Sequence, residues 1–485
     1  MKTAKEYIDS IKTMKFNAYI LGKKVDCPAD HPLVRPSLNA VAMTYELALD
    51  PEFQHLTTVT SNLTGKRVNR FTHTHQSTHD LVNKVKMQRL LGQKTATCFQ
   101  RCVGMDAINA LSITTYEMDQ DLGTEYNKRF IDFLKYVQDN DLVCDGAMTD
   151  PKGDRGKRPH QQEEKDVFVH VVEEREDGIV VRGAKCHQTG ALNSHEIIVM
   201  PTMSMKVEDA DFAVSFAVPS DTEGITYILG RQPSDTRKLE GTFDVGNINY
   251  GGQECLVIFD NVFVPWERVF MFREYQYSGK LVERFASYHR QSYGGCKCGV
   301  TDVLIGAAAN LAEYHGVENA SHIKDKLVEM IHLNETMHAC GLACSTEGKA
   351  TPSGTYFVDS LLANVCKLNV TRHPYEIARL AEDIAGGLLV TMPSAKDLEH
   401  PVVGEYMKKL YRGINGISTE CRLRMLRLVE NLTVGAGAVA YRTESMHGAG
   451  PPQAMKIMIA RQANLEHKKE LAKEIAEVIT CDHEC

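Results

Sequence analysis

The sequence lacks the features that mark membrane proteins, secreted proteins and general nucleic-acid-binding proteins. Its most apolar stretches, residues 303–312 and 384–392, are shorter than the ~20 apolar residues that a bilayer-spanning helix needs. Residues 1–16 alternate charged and apolar side chains without the continuous apolar run of a secretory signal, which predicts a cytoplasmic protein. The net charge of -8 and the absence of long runs of lysine and arginine argue against nucleic-acid binding through phosphate charge.

Common catalytic motifs are missing as well. The sequence contains no GxxxxGK(S/T), HExxH or GxSxG pattern, so it does not predict a P-loop NTPase, a zinc protease or an α/β-hydrolase. What it does contain is 14 cysteines in 485 residues. Because disulfides are rare in a reducing compartment, these cysteines are expected to be thiols, metal ligands or catalytic groups.

The hydrophobic pattern divides the chain into three zones and predicts an α+β fold. Residues 1–140 show apolar residues at helical spacing and few turn signals, which is typical of a helical domain. Residues 141–275 contain short runs rich in valine, isoleucine and aromatic residues, and predict an antiparallel β domain. Helical spacing returns over residues 276–485, which predicts a second helical domain. A ligand cleft is expected where these domains meet.

Three pairs of cysteines share the spacing Cys-x3-Cys. Cys98 and Cys102 fall in a segment predicted to be helical, where residues four apart lie on one face, so their thiols suit a shared metal or cluster. The other two pairs are Cys340 and Cys344, near His332 and His338, where a metal site is conceivable, and Cys481 and Cys485 at the chain end. Spacing alone therefore does not select a functional pair, and buried structural thiols are the alternative.

Residues 288–298 concentrate reactive side chains in the order Tyr-His-Arg-Gln-Ser-Tyr-Gly-Gly-Cys-Lys-Cys. In a helix, His289, Tyr293 and Cys296 would share one face. Gly294 and Gly295 lack side chains, so a bulky group could approach the backbone there. A hydrogen-bonded structural histidine is the alternative interpretation of His289.

Cys98, Cys102, His289 and Cys296 together form a possible ligand set of three thiols and one imidazole. Such a set suits zinc or an iron-sulfur cluster. Zinc ligands usually come as two closely spaced pairs, and a histidine and a cysteine seven positions apart do not follow that habit well.

Motifs in the middle of the chain resemble the flavin-binding domain of the acyl-CoA dehydrogenases. They are Ala147-Met148-Thr149-Asp150-Pro151, Gly183-Ala184-Lys185, His187-Gln188-Thr189-Gly190 and the run from Phe259 to Pro265. The closer resemblance, over essentially the whole chain, is to the 4-hydroxyphenylacetate 3-hydroxylase superfamily and, within it, to the family of 4-hydroxybutyryl-CoA dehydratases. It implies an acyl-CoA dehydrogenase-like fold with an N-terminal helical domain, a middle β domain that binds FAD and a C-terminal helical bundle.

That resemblance also implies a [4Fe-4S] cluster besides FAD. The positions that match the cluster ligands are Cys98, Cys102, His289 and Cys296, and each has the required residue type. Flavin monooxygenases of the same superfamily lack this set, so its presence favours a dehydratase.

The resemblance assigns further residues to the active site and to FAD. Catalytic roles are implied for His289, Tyr293, Glu254, Glu444 and Lys297, and positions beside the cluster for Arg89 and Gln100. FAD contacts are implied for Met148, Thr149, Lys152, Gly153, Asp154, Gln188 and Thr189. A homotetramer is implied, in which Asp383, Gly386 and Gly387 contact the FAD of a neighbouring subunit.

The implied reaction is the dehydration of 4-hydroxybutyryl-CoA to crotonyl-CoA, together with isomerisation of vinylacetyl-CoA to crotonyl-CoA. The thioester activates neither the C3 hydrogen nor the C4 hydroxyl, so simple elimination fails. A flavin that takes one electron from the enolate leaves an enoxy radical with a more acidic C3 hydrogen, while a cluster iron acts as a Lewis acid on the hydroxyl. His289 or Glu444 is expected to move protons at C2 and C3, and Tyr293 to hydrogen-bond the substrate.

Three other interpretations stay open at the level of sequence. A monooxygenase that uses reduced flavin to hydroxylate a phenol would bind flavin but no iron. A flavin-dependent acyl-CoA dehydrogenase would reduce its FAD with acyl-CoA. A non-catalytic helical protein with structural zinc would be colourless.

Overall fold

Helices occupy both ends of the chain and strands its middle in the computed structural model, which describes residues 1–230 and 242–478. The first part of the chain forms α1 (Ala4–Thr13), α2 (Arg35–Leu49), α3 (Gln54–Thr57), α4 (Thr78–Thr95), α5 (Cys102–Leu122) and α6 (Tyr126–Asp139). The last part forms α7 (Tyr275–Tyr314), α8 (Ser321–Thr346), α9 (Ser360–Val370), α10 (His373–Ala385), α11 (Leu388–Thr391), α12 (Ala395–Glu399), α13 (Val403–Leu410), α14 (Thr419–Thr433), α15 (Glu444–His447), α16 (Pro452–Gln462) and α17 (Leu465–Ile475).

The strands are short, and most of them lie between the two helical regions. They are β1 (Ala18–Ile20), β2 (Lys23–Val25), β3 (Thr58–Thr60), β4 (Arg67–Asn69), β5 (Cys144–Ala147), β6 (His170–Arg175), β7 (Gly178–Thr189), β8 (Glu196–Val199), β9 (Val214–Pro219), β10 (Ile225–Leu229), β11 (Glu254–Pro265), β12 (Val269–Phe272), β13 (Lys349–Ala350) and β14 (Tyr356–Phe357). The mixed helix-and-sheet fold class predicted from the sequence is therefore confirmed.

Two larger sheets form the middle of the molecule. One has the strand order β2-β1-β10-β11-β7-β6, and the other has the order β12-β9-β8-β5. Most neighbouring strands are antiparallel, as predicted, but β1 pairs with β10 and β5 pairs with β8 in parallel. The antiparallel arrangement predicted for residues 141–275 is therefore wrong at one pair within them, β5 with β8.

Strands β1 and β2 lie in the first zone, which the hydrophobic pattern predicts to be mostly helical. Each has only three residues, yet together they supply two of the six strands of the larger sheet. Three residues are too few for alternation to show against a helical background, so the hydrophobic pattern could not reveal them.

Helix α7 is the central element of the molecule and runs for 40 residues. It includes residues 288–298, so the prediction of a helix there is confirmed. A Cβ atom on Gly294 would lie 2.7 Å from the Cα of Gly341 on α8, and one on Gly295 would collide with the carbonyl of Val85 on α4. The groups that approach these two glycines are thus neighbouring helix backbones, which pack closely because side chains are missing.

The hydrophobic core has two main parts, and α7 joins them. The larger part holds α1, α2, α5 and α6 against both sheets and the first turns of α7. The second part joins the rest of α7 to α8, α10 and α14. No helix among the described residues is long and apolar enough to cross a membrane.

Candidate functional site

Cys98 and Cys102 lie next to each other in space but are not both helical. Helix α4 ends where Ala96 adopts a left-handed conformation, with a φ of 50°, and Cys98 follows in a loop. Cys102 is the first residue of α5. The prediction that one helix face carries both thiols is therefore wrong, because alanine gives no sequence signal for a helix end. The two thiols nevertheless share a hydrogen bond.

Cys296, Tyr293 and His289 follow one another along the buried middle of α7. The ring of His289 meets that of Tyr293 edge-on, with centroids 5.2 Å apart. Cys296 belongs to the same small apolar cluster as Cys102, together with Phe99 and Met105. The three thiols and the imidazole predicted from sequence are therefore grouped around the contact between α5 and α7.

Asp106 also lies at this contact, where sequence reasoning had not placed a functional residue. Its Oδ2 accepts a hydrogen bond from Nδ1 of His289 at 2.8 Å and another from the hydroxyl of Ser292 at 3.1 Å. Its Oδ1 is 2.5 Å from Nζ of Lys84. Asp106 follows Cys102 by four positions on α5, so helical spacing was the signal that could have found it.

The donor set fits a metal cluster in its chemistry. Cys98, Cys102, Cys296 and His289 are each at most 6% exposed. The hydrogen bond with Cys98, and then burial, raises the pKa of Cys102 well above its usual value, while burial raises the pKa of Cys296 to about 12. The raised pKa values describe thiols without a bound cation. A metal that binds such a thiol removes its proton.

The same four residues do not form a ready-made site for a single ion. Across residues 1–230 and 242–478, no three His, Cys, Asp or Glu side chains come together as a group that could hold a metal ion. A four-iron cluster is wider than one ion, so its ligands stand further apart. The arrangement therefore argues against mononuclear zinc more than against a cluster.

Gln100 connects the cysteine loop to the strand that carries Glu254. Its side-chain amide donates to the carbonyl of Gln253 at 3.0 Å and accepts from Asn193 at 2.8 Å. Glu254 begins β11 and pairs across the sheet with Thr189 of β7, whose hydroxyl donates to the Glu254 carboxyl. Burial and then the charge of Glu444 raise the pKa of Glu254 well above its usual value.

Glu444 faces α7 from the segment after α14. A π-helical turn, Val439–Thr443, immediately precedes it. The ammonium of Lys297 pairs with the Glu444 carboxylate at 2.8 Å and donates to the Ala440 carbonyl at 2.5 Å. Burial alone would lower the pKa of Lys297, but the negative charge of Glu444 raises it above its usual value. Lys297 thus holds Glu444 at the site as an ion pair.

Tyr293 lies between two lysines and has a hydroxyl with no hydrogen-bond partner among the described residues. The Nζ atoms of Lys297 and Lys367 are 5.2 and 4.7 Å from its ring centroid. A Cβ atom on Gly448 would collide with the Tyr293 hydroxyl, so that oxygen abuts a bare backbone. A buried, unpartnered hydroxyl beside two lysines and near Glu444 is a natural contact for a substrate oxygen.

Lys367 is a second residue that sequence reasoning missed. It is fully buried on α9, and its Nζ donates to the carbonyl of Ser445 at 2.5 Å. Burial, followed by the charge of Lys297, lowers the pKa of Lys367 to about 7. A lone lysine in an apolar helix gives no sequence signal for such a position.

The residues predicted to contact FAD in this chain fall in two adjoining places. Gln188 and Thr189 end β7, and Met148 and Thr149 follow β5. The backbone of Cys186 donates to the carbonyl of Thr149 at 2.9 Å, and the amide of Gln188 approaches that carbonyl at 3.4 Å.

Lys152, Gly153 and Asp154 continue from there into a loop. Lys152 and Gly153 have φ values of 75° and 49°. A Cβ atom on Gly153 would lie 2.5 Å from Oε1 of Gln162, so the loop is tightly folded at that point. Backbone groups turned outward in a tight loop can bind a polar cofactor.

Two other predicted groups lie elsewhere in the chain. Arg89 pairs with Asp302 at 2.8 Å and with Glu335, so the structure groups it with those acids rather than with the thiols. Asp383 pairs with Lys326 at 2.6 Å. Gly386 and Gly387, just after α10, are exposed, and that helix packs on α7, α8 and α14 rather than on β7. Within one chain, these three residues are therefore not part of the FAD segment.

The remaining cysteine pairs do not form a site in the described residues. The thiol of Cys344 donates to the carbonyl of Gly341 at 3.1 Å, and Cys340 contacts Asn369. His332 is exposed beside Glu329, while His338 bonds to the carbonyl of Gly294. Cys298 donates to the carbonyl of Asn334 at 3.6 Å. The metal site considered near residues 340–344 is therefore not assembled, and Cys481 and Cys485 lie outside the described residues.

A cavity of about 300 Å³ adjoins the site. Its wall includes Thr97, next to Cys98, and Ala440, whose carbonyl accepts from Lys297. It also includes Gly252, where a Cβ atom would lie 3.4 Å from the amide of Gln100. Arg35 and Tyr250 line the same cavity. A ligand that entered it would contact segments adjoining the cysteine loop, the π-helical turn and β11.

Family comparison covers nearly the whole chain. Residues 3–271 match the N-terminal part of 4-hydroxyphenylacetate 3-hydroxylase, and residues 278–477 match the C-terminal part. A curated relative, the 4-hydroxybutyryl-CoA dehydratase/vinylacetyl-CoA-Delta-isomerase of Clostridium aminobutyricum, is 60% identical over 98% of this chain and 99% of its own.

Two solved structures share the fold. An oxygen-tolerant archaeal 4-hydroxybutyryl-CoA dehydratase from N. maritimus superposes with a TM-score of 0.97 and 54% identity, over 100% of this chain and 96% of that one. The oxygenase component of 4-hydroxyphenylacetate 3-monooxygenase, solved with FAD, superposes with a TM-score of 0.86 and 25% identity, over 98% of each chain.

Proposed function

Because the chain belongs to the 4-hydroxyphenylacetate 3-hydroxylase family, and within it to the 4-hydroxybutyryl-CoA dehydratases, we propose that it dehydrates 4-hydroxybutyryl-CoA to crotonyl-CoA. Isomerisation of vinylacetyl-CoA to the same product is the second proposed activity. One observation carries the proposal beyond family membership. Three buried thiols and an imidazole, the donor set of a cluster, lie together with Glu254, Glu444, Lys297 and Tyr293.

FAD and a [4Fe-4S] cluster are the proposed cofactors. The residues that would hold FAD in the same chain are those at the end of β7 and in the loop after β5, and a relative of the same fold is solved with FAD. Cys98, Cys102, Cys296 and His289 would hold the cluster. When bound, FAD supplies one-electron transfer and the cluster supplies a Lewis-acidic iron for the leaving hydroxyl.

The two carboxyl groups of the site are set up for different tasks. Burial and the neighbouring charge of Glu444 raise the pKa of Glu254 well above its usual value, and the hydroxyl of Thr189 donates a hydrogen bond to its carboxyl. Glu444 is paired with the Lys297 ammonium. A buried acid with a raised pKa beside an acid that is ion-paired with a lysine is a common arrangement for acid and base roles in one site. We assign proton transfer at C2 and C3 of the substrate to Glu444 and, when its Nε2 is not bound to metal, to His289.

Tyr293 and the buried surroundings orient the substrate and exclude water. The unpartnered Tyr293 hydroxyl can hydrogen-bond the substrate's C4 hydroxyl or thioester oxygen. Hydrogen bonds in such a dry site act more strongly than in water. Residues of the nearby cavity, including Arg35 and Tyr250, would contact the part of the acyl-CoA outside the reacting carbons.

The test of this proposal is a cofactor analysis followed by an assay. Protein purified without oxygen should contain about four irons, four acid-labile sulfides and one FAD per chain. It should convert 4-hydroxybutyryl-CoA and vinylacetyl-CoA to crotonyl-CoA, measured by chromatography of the CoA esters.

Other compositions would contradict the proposal. FAD without iron would favour the flavin monooxygenase, whose family fold the chain shares. Full cofactor content without turnover of either CoA ester would support the proposed cluster but contradict the proposed substrate.

A homotetramer in which FAD lies between subunits is proposed for the assembly. Asp383, Gly386 and Gly387 are exposed at the end of α10, in a part of the core different from that of β7. They would therefore reach FAD only from another subunit.

A further inference from the structure

Lys84 and Asp106 form an ion pair that is completely buried beside His289. Both side chains have no exposed surface, and Nζ and Oδ1 are 2.5 Å apart. Lys84 also donates to the carbonyl of Tyr288 and to Oε1 of Gln291, each at 2.9 Å. A buried ion pair is often no more stabilising than apolar side chains of the same size, so stability alone does not account for it.

The second oxygen of Asp106 determines which nitrogen of His289 carries a proton. Oδ2 is 2.8 Å from Nδ1 of His289. A carboxylate only accepts hydrogen bonds, so Nδ1 is the protonated nitrogen. The lone pair of the neutral ring is then on Nε2. Metal-binding histidines are commonly fixed in this way by a carboxylate on the other nitrogen.

Helix geometry relates this contact to the thiols. Asp106 and Cys102 are four residues apart on α5 and therefore share one of its faces. On α7, the opposing residues are His289, beside Asp106, and Cys296, in the same apolar cluster as Cys102. Across the contact between the two helices, the two cysteines therefore lie near each other at one point, and the carboxylate and the imidazole lie near each other one to two helical turns away.

We propose that Asp106, paired with Lys84, is a positioning residue that fixes His289 in the tautomer whose Nε2 binds an iron of the cluster. This inference rests on the proposed function, because it needs the cluster to be present. It goes further in naming the ligating nitrogen and the buried pair that selects it. Asp106 touches neither substrate nor cofactor in this role and acts through His289 alone.

The first test uses the wild-type protein with histidine labelled with ¹⁵N at Nε2 or at Nδ1. Electron-nuclear double resonance of the reduced cluster should show a strongly coupled ¹⁵N with the Nε2 label and only weak coupling with the Nδ1 label. Strong coupling from the Nδ1 label would overturn the proposal, because Asp106 occupies that nitrogen.

The second test is Asp106→Asn, compared with Ser292→Ala. In this variant, Lys84 would bind the new amide oxygen, so the amide NH2 would face Nδ1 of His289. Because the NH2 group donates, Nδ1 would have to accept, and the ring proton would move to Nε2. The asparagine variant of a serine protease triad shows the same change of tautomer. Ser292→Ala removes a hydrogen bond to the same Asp106 oxygen but leaves the tautomer unchanged. Melting temperatures of both variants show whether the fold is intact.

The readout is cluster integrity rather than turnover. After mild ferricyanide oxidation, the electron paramagnetic resonance signal of a three-iron cluster should appear about 10- to 100-fold faster in Asp106→Asn than in wild type or Ser292→Ala. Equal rates in all three would overturn the proposal, as would equal acceleration in both variants.

Failure of this inference can be told from failure of the proposed function. Wild-type protein without iron would refute the proposed function and with it the inference. Wild-type protein with a cluster, combined with a negative result in either test, would refute only the role of Asp106. If Asp106→Asn does not fold, the labelling experiment still decides the question.

Discussion

At the candidate site, neighbouring groups shift the pKa values of individual residues in different directions. Lys367 and Lys297 have the same side chain and flank the same tyrosine ring. Lys297 has a carboxylate partner, and its pKa is raised, whereas Lys367 has only a carbonyl partner, and its pKa is lowered. Burial lowers the pKa of both lysines, and the carboxylate contact that only Lys297 makes reverses the direction there.

His289→Cys tests the role of the imidazole at the residue scale. A fourth thiol should still bind iron, so iron content is expected to stay near that of wild type. Turnover of 4-hydroxybutyryl-CoA should fall by at least about 100-fold, because a thiolate replaces both the neutral ligand and a proton-transfer group. The assay is anaerobic production of crotonyl-CoA.

The matched control for that variant is His332→Cys, at an exposed position on α8. It should keep both iron and turnover. Dehydration near the wild-type rate in His289→Cys would show that the imidazole serves neither as the labile ligand nor as a base.

Lys367→Met gives a prediction for pH dependence. The folded Lys367 has a pKa of about 7 against an ordinary value of 10.5, so between these values the unfolded chain binds more protons. Stability that depends on this group therefore rises with pH in that window. Relative to Lys367→Met, wild type should gain about 2 kcal/mol between pH 7 and pH 9.

Melting temperatures of the two proteins across that pH range provide the measurement. The difference, wild type minus variant, should increase as the pH rises. Lys128→Met, at an exposed lysine, should show no such trend relative to wild type. A constant difference for Lys367→Met would mean that the buried amine keeps its proton up to pH 9.

Turns between elements decide how the site residues approach one another. The segment from the π-helical turn through α15 brings Ala440, Glu444 and Ser445 to the two lysines. Gly448 ends this segment with a φ of -60°, which any residue can adopt. Its missing side chain is required for space, because the Tyr293 hydroxyl occupies the position of a Cβ atom.

Gly448→Ala is the prediction at the scale of elements. The new methyl should move either the turn or Tyr293, and turnover is expected to fall by about 100-fold, as small displacements of reacting groups do. FAD and iron content should stay unchanged. Steady-state turnover and cofactor content are the measurements.

Gly306→Ala on α7 is the control, because nothing lies within 4 Å of its Cβ position. It should keep full activity and tend to stabilise the helix. Normal turnover in Gly448→Ala would show that Tyr293 can move without affecting the reaction.

At the scale of the whole molecule, the assembly has its own prediction. If FAD lies between subunits, its removal should convert tetramers to smaller species, and added FAD should restore them. Sedimentation velocity of the protein before and after removal of flavin measures this. A flavin-free tetramer of unchanged size would contradict the bridging arrangement.

The sequence by itself determined the fold class and the helical segment 288–298, which follow from local spacing and do not require knowledge of distant contacts. Residue chemistry offered Cys98, Cys102, His289 and Cys296 as a possible ligand set, and the resemblance to a known family selected it. Strand β1, by contrast, is defined by pairing with β10, more than 200 residues away, and β2 by pairing with β1. Three residues cannot show that pairing in a local pattern.

Only the tertiary structure decided which side chains surround the cluster residues. Asp106 reaches His289 across 183 positions, and Lys367 reaches Ser445 across 78. The same structure paired Arg89 with Asp302 and Glu335 and placed Cys98 in a loop. Such contacts depend on how helices cross in space, and burial then fixes the pKa values, so neither can be read from spacing along the chain.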